Sequence, residues 1–125
     1  MKKIIVATDF SSAAFNAAVY GAHMAMAIDA DLVLLHVYSM PLVYSEVPVT
    51  VSAEEIRTAA EANMTQLKQQ LEKRLEGKLK IDMEIRMGSF FHELKIVCAH
   101  LRPYTVVMGS QGTSATERLL FGSHA

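Results

Sequence analysis

The sequence holds a single cysteine, Cys98, in 125 residues. A lone cysteine closes no internal disulfide, which fits a reducing compartment. An excess of charge is missing as well: 12 basic residues stand against 13 acidic ones, a formal net charge of -1. The basic residues are scattered, with only short runs such as Lys2-Lys3 and Lys73-Arg74. Such a balance gives no electrostatic reason to expect nucleic acid or an anionic membrane as the partner. Long hydrophobic runs are absent. No stretch approaches the ~20 apolar residues of a membrane helix, and even the Ala- and Met-rich segment 13–28 carries Asn16 and His23. The apolar run after Lys2-Lys3 meets Asp9 too early to be a secretory signal. The expected location is cytoplasmic. Missing too are a Gly-Lys-Ser/Thr phosphate loop, a nucleophile–base pair at recognisable spacing, and a metal-ligand cluster among the five histidines. Nothing here marks a dedicated catalyst.

What remains has the composition of a folded domain. Hydrophobic residues make up 51% and charged ones 20%, so the chain can bury a real core and reads as one domain over 1–125. Lys3-Ile4-Ile5-Val6-Ala7 is a short β-branched run that reads as a buried strand. Ser11 or Ser12 then caps a helix whose inward face carries Ala14, Ala17, Gly21, Met24, Ala25 and Ile28. These side chains are small, so the helix is expected close to the sheet. After the turn Asp29-Ala30-Asp31, the run from Leu32 to Val37 predicts a second buried strand. A long apolar loop follows from Tyr38 to Val51, with Pro41 and Pro48. It reads either as a lid or partner surface, or as a loop packed on its own domain.

Ser52-Ala53-Glu54-Glu55 has capping-box spacing and opens a helix that carries Ile56, Ala60, Met64, Leu67, Leu71 and Leu75 inward. Gly77 supplies its stop. The third strand alternates Leu79, Ile81, Met83, Ile85 and Met87 with Lys80, Asp82, Glu84 and Arg86. Period-two alternation leaves one face wet and assigns this strand to a sheet edge. A third helix spans about 89–101 and ends before Pro103, and Thr105-Val106-Val107-Met108 is a short fourth strand.

The order βαβαβαβ demands a parallel sheet with right-handed crossovers and helices on both faces, an open Rossmann-like α/β fold. Continuous apolar strands want central places and the alternating one wants an edge, so the expected order is 3-2-1-4. That order puts a topological switch point between the first and fourth strands, where ligands bind beyond the strand ends. Ala7-Thr8-Asp9 and Met108-Gly109-Ser110 converge there.

Gly109, Gly112 and Gly122 cluster where the chain leaves the fourth strand. Without a Cβ, backbone can turn sharply and bring amide hydrogens against an anion, and Ser123 adds a hydroxyl donor. Asp9 is placed to accept from ribose hydroxyls or hold a divalent cation near phosphates, or else to cap the first helix. The backbone at Val37 lies on the same rim, where it can read an adenine edge. His36 reads as a hydrogen-bonded core or rim histidine, and Arg118 as a solvated loop residue within reach of a phosphate. A Gly-x-x-Gly after a strand is, alone, usually a tight turn.

Gly109-x2-Gly112-x9-Gly122-Ser123 resembles the ATP-binding signature of universal stress proteins. Three further segments fall in the same order: Thr8-Asp9-Phe10-Ser11, Leu35-His36-Val37, and Gly88 followed by a helix and Val107-Met108-Gly109-Ser110. The likeness covers essentially the whole chain. It implies an adenine nucleotide alpha hydrolase-like fold and binding of ATP or a related nucleotide with Mg²⁺ or Mn²⁺. Ala7, Thr8, Asp9 and Val37 would lie around adenine and ribose. Met108, Gly109, Ser110, Gly112, Gly122 and Ser123 would lie around the phosphates. It also implies a homodimer, a role in stress regulation and, at most, slow ATP hydrolysis. Tyr104, Thr105 and Ala7 depart from the family's usual residues. After Ser123 only His124 and Ala125 remain, where the family continues with a helix and a fifth strand. The expectation is therefore a natural protein longer than these residues. The alternative is a dimerisation or interaction module of the same fold that binds no nucleotide. A phosphoacceptor receiver domain is excluded, because Arg86-Met87-Gly88 offers no acidic acceptor after the third strand.

Overall fold

The computed structural model describes residues 2–39 and 53–109. Seven elements alternate as expected: β1 (Lys3–Ala7), α1 (Ser12–Ala27), β2 (Asp31–Tyr38), α2 (Ala53–Arg74), β3 (Ile81–Met87), α3 (Phe90–Leu101) and β4 (Thr105–Met108). The strands form one parallel sheet in the order β3-β2-β1-β4. Side chains alternate across it, as a pleated strand requires. Ile4, Val6, Leu32, Leu34 and Val107 meet Ala18, Ala22 and Ala25 of α1 and Met64, Leu67 and Leu71 of α2 in one buried cluster. Ile5, Val33 and Leu35 face the other way, onto Val97 of α3, with Leu94, Cys98 and Leu101 packed around it. Burial pushes the Cys98 thiol up from its ordinary pKa, which suits a packing residue rather than a nucleophile. Among the described residues, no helix is long and apolar enough to cross a membrane.

Each helix end has a local cause. Ser11 is the N-cap of α1, its Oγ accepting the Ala14 amide hydrogen at 3.1 Å, which resolves the choice between Ser11 and Ser12. Gly77 ends α2 with a left-handed φ of 70°, its N–H donating to the Glu72 carbonyl at 2.9 Å. Arg102, also left-handed, closes α3 one residue before Pro103. Ser52 of the expected capping box, and the expected loop beyond Ser39, lie outside the described residues.

Two details differ from the sequence pattern. The buried stripe of α1 is Ala14, Ala18, Gly21, Ala22 and Ala25, with Ala17, Met24 and Ile28 only flanking the core. Small residues fall on every side of this helix, so hydrophobicity alone could not rank its faces; the i, i+4 ridge against the sheet decides. In β3, Ile81 is buried and Ile85 touches the core, yet Met83 and Met87 are exposed. Alternation sets which face a residue is on, but an edge strand has cover on one side only.

Near the end of β3, the Arg86 guanidinium bonds Glu93 of α3 at 2.7 Å and Glu84 at 3.4 Å. The bond to Glu93 is the main reason that the Arg86 pKa rises, outweighing its desolvation. Glu93 also folds back over Gly88, where φ is 150° and an added Cβ would meet its carboxylate at 2.7 Å. This clasp joins strand to helix. Glu93→Leu is expected to cost about 1 kcal/mol, readable as a lower urea midpoint with an unchanged m value.

Candidate functional site at the switch point

β1 lies between β2 and β4, and its end is the point from which the chain can leave toward either face. Ala7 pairs with Leu35 on one side and Met108 on the other. Thr8 follows, buried, with its N–H donating to the Leu35 carbonyl at 2.8 Å. The next residues make a tight turn held by their own side chains. Thr8 Oγ1 accepts the Phe10 N–H at 3.0 Å, and Asp9 Oδ1 accepts the Ser11 N–H at 2.9 Å. Both are the two-residue side-chain turns that threonine and aspartate favour. Phe10 sits at a φ of 66°, a left-handed backbone that bulky residues seldom adopt.

The two readings of Asp9 now separate. Asp9 does not cap α1, since Ser11 does; it closes the turn that leads into the cap. An ionised carboxylate has about four acceptor positions, so one bond to Ser11 leaves capacity for other donors. Asp9 is exposed at the strand ends. Among the described residues no group of three or more His, Cys, Asp or Glu could hold a metal ion.

Gly109 lies directly across from this turn. An added Cβ there would sit 2.5 Å from the Ala13 carbonyl oxygen and 3.3 Å from Ala17 Cβ, so the β4 exit runs hard against the first turns of α1. A groove of about 350 Å³ beside it is lined by Asn16, Tyr20, Met108 and Gly109 among others. A second, of about 370 Å³, opens on the other side of α1 between Thr8, Phe10, Ser11 and the α2 amides Asn63, Gln66 and Gln70. Among the described residues, neither groove is lined by a charged side chain. An anion held at these residues would be met by backbone N–H groups, hydroxyls and side-chain amides, with no cationic partner among them.

Thus Ala7, Thr8, Asp9, Met108 and Gly109 come together. Val37, half-buried, lies two residues past the Leu35 partner of Ala7 and opposite Arg86. Ser110, Gly112, Arg118, Gly122 and Ser123 lie outside the described residues. His36 is the hydrogen-bonded rim histidine expected, its Nδ1 2.8 Å from the Thr8 carbonyl oxygen and its ring 4.4 Å from that of Phe10. The special backbone of Phe10 went unread in the sequence. The Asp-x-Ser spacing is the one signal that could have exposed it.

The universal stress protein family model matches residues 1–125. This chain belongs to that family. No curated protein sequence matches it. Among solved structures, a universal stress protein in complex with cAMP is 17% identical with a TM-score of 0.67, over 91% of this chain and 76% of that one. One from Burkholderia pseudomallei is 18% identical with a TM-score of 0.68, over 87% and 81%. A family member from Arabidopsis thaliana with AMP bound is 19% identical with a TM-score of 0.61, over 94% and 81%. At such identities the likeness is one of fold: the open parallel sheet with helices on both faces is the universal stress protein architecture.

Proposed function

We propose that this universal stress protein domain binds an adenine nucleotide, ATP with Mg²⁺ or Mn²⁺, at the switch point, and serves in stress regulation rather than as a dedicated catalyst. The observation that carries the reading is the meeting of the Asp9 turn with Gly109 at the ends of β1 and β4. Open α/β sheets take their ligands at that place. Two fold relatives were solved with cAMP and with AMP, which supports an adenine nucleotide as the ligand class.

In this reading Ala7, Thr8, Asp9 and Val37 surround adenine and ribose, with Asp9 accepting from ribose hydroxyls. Met108, Gly109, Ser110, Gly112, Gly122 and Ser123 surround the phosphates. The bound cation would neutralise phosphate charge that the described residues, having no cationic side chain in either groove, do not. Homodimerisation and a cytoplasmic location complete the proposal.

Asp9→Ala removes a charge-assisted acceptor worth ~1.5–3 kcal/mol, so ATP affinity should fall roughly 10- to 100-fold. Calorimetric titration of the full chain with Mg·ATP checks this. Saturable binding that Asp9→Ala leaves unchanged would remove Asp9 from the site. No saturable binding by the parent chain would defeat the nucleotide reading itself.

A further inference from the structure

We infer that His36 is a positioning residue for the switch point: by holding the Thr8 carbonyl, it aims the Asp9 main-chain N–H across the site toward β4. The inference deepens the nucleotide reading above and rests on it for its ligand. Thr8 is tied to β2 twice. Its N–H donates to the Leu35 carbonyl, and its carbonyl lies 2.8 Å from His36 Nδ1. A carbonyl oxygen can only accept, so Nδ1 carries the proton.

The peptide joining Thr8 to Asp9 is planar and trans, so the Asp9 N–H points opposite to the Thr8 carbonyl. With that carbonyl fixed toward β2, the Asp9 N–H is directed to the other neighbour of β1, which is β4 with Gly109 at its exit. Among the described residues it has no acceptor. It is a donor aimed at the place where a nucleotide oxygen would lie, on the same residue whose carboxylate accepts from the ligand. One residue thus offers both polarities, and the imidazole sets the plane on which they are mounted.

The turn needs such an anchor. Phe10 holds a left-handed φ of 66°, and strain of this kind persists only where surrounding contacts over-determine it. The bonds from Phe10 N–H to Thr8 Oγ1 and from Ser11 N–H to Asp9 Oδ1 lie within the turn and turn with it. The His36 bond comes from a neighbouring strand, 28 residues away in sequence. The imidazole itself is fixed between rings, 4.4 Å from Phe10 and 6.4 Å from Tyr38.

The parent chain and two variants of it test the assignment: His36→Asn, whose amide nitrogen reaches nearly the position of Nδ1, and His36→Leu, which has no donor. The first readout is the ¹⁵N signature of the parent imidazole, expected to show the Nδ1–H tautomer. The second is amide exchange at Asp9, Phe10 and Ser11, expected to quicken about tenfold or more in His36→Leu and to stay near the parent rate in His36→Asn. The third is Mg·ATP affinity, expected to fall about tenfold in His36→Leu and to be largely rescued by His36→Asn. An Nε2–H tautomer, or equal effects of Asn and Leu, would overturn the proposal. Should the parent bind no ATP, the nucleotide reading fails alone, and tautomer and amide exchange still decide whether His36 orients the turn. Should His36→Leu not fold, the tautomer and His36→Asn carry the decision.

Discussion

Gly109→Ala is expected to lower the melting temperature by roughly 3–15 °C. The added Cβ would fall 2.5 Å from the Ala13 carbonyl oxygen, 2.9 Å from its carbon and 3.3 Å from Ala17 Cβ. Two of those atoms are helix backbone, which yields only if α1 or β4 moves as a body. Overpacking of that kind costs ~1–3 kcal/mol, and a domain of this size loses roughly 3–5 °C per kcal/mol. Because α1 starts at the Asp9 turn, any shift of the helix also disturbs the site. Calorimetric scans measure the first effect, and ATP affinity, expected to weaken with it, measures the second. An unchanged melting temperature would mean that β4 does not run against α1 in this way.

Gly21→Ala should likewise destabilise, by about 1–2 kcal/mol, although alanine is worth ~1 kcal/mol more than glycine within a helix. Here the new Cβ would meet Val6 Cγ2 at 2.6 Å. Val6 is fully buried and β-branched, so its χ1 has little freedom to move the methyl aside. The contrast with helix propensity makes the test sharp: propensity alone predicts a gain, and packing predicts a loss. Val6→Ala removes the clashing methyl groups, at a cavity cost of about 2–3 kcal/mol when introduced alone. Combined with Gly21→Ala, the loss should be less than additive by about 1 kcal/mol or more in denaturant unfolding. Strict additivity would show that helix and strand are farther apart than described.

The legibility of the sequence followed the physics of each feature. Strand order came through, because continuous runs such as Leu32–Val37 and the alternating run at Ile81–Met87 report burial on two faces or on one. From that order the switch point followed without any motif. Helix stops at Gly77 and before Pro103 were readable because left-handed and N–H-less residues carry their backbone preference with them. The inner face of α1 was not, since alanines at nearly every turn erase the hydrophobic contrast. That Asp9 and Gly109 meet at the strand ends followed from the strand order, but the contacts each makes there did not. Gly109 was expected to serve a turn near an anion; its close approach to the first turns of α1 is a second reason for glycine there, which the sequence did not disclose. The left-handed Phe10 and the bond from His36 to the Thr8 carbonyl depend on a pairing 28 residues apart, which no local pattern encodes.

A cavity's chemistry also constrains the ligand. Among the described residues, the grooves flanking α1 present hydroxyls, amides and aromatic rings and no charged side chain. In the proposed reading that lining would face the uncharged parts of a nucleotide, and neutralising its phosphates would fall to a bound cation and to backbone N–H groups.

The central claim, that an adenine nucleotide binds across the ends of β1 and β4, is tested most directly by amide NMR of the full chain titrated with Mg·ATP. Saturable shifts are expected at Thr8, Asp9, Phe10 and Gly109, with exposed α3 residues such as Lys95 and His100 unmoved. No saturable shift at millimolar nucleotide, or shifts gathered on α3 while the Asp9 turn stays silent, would contradict it.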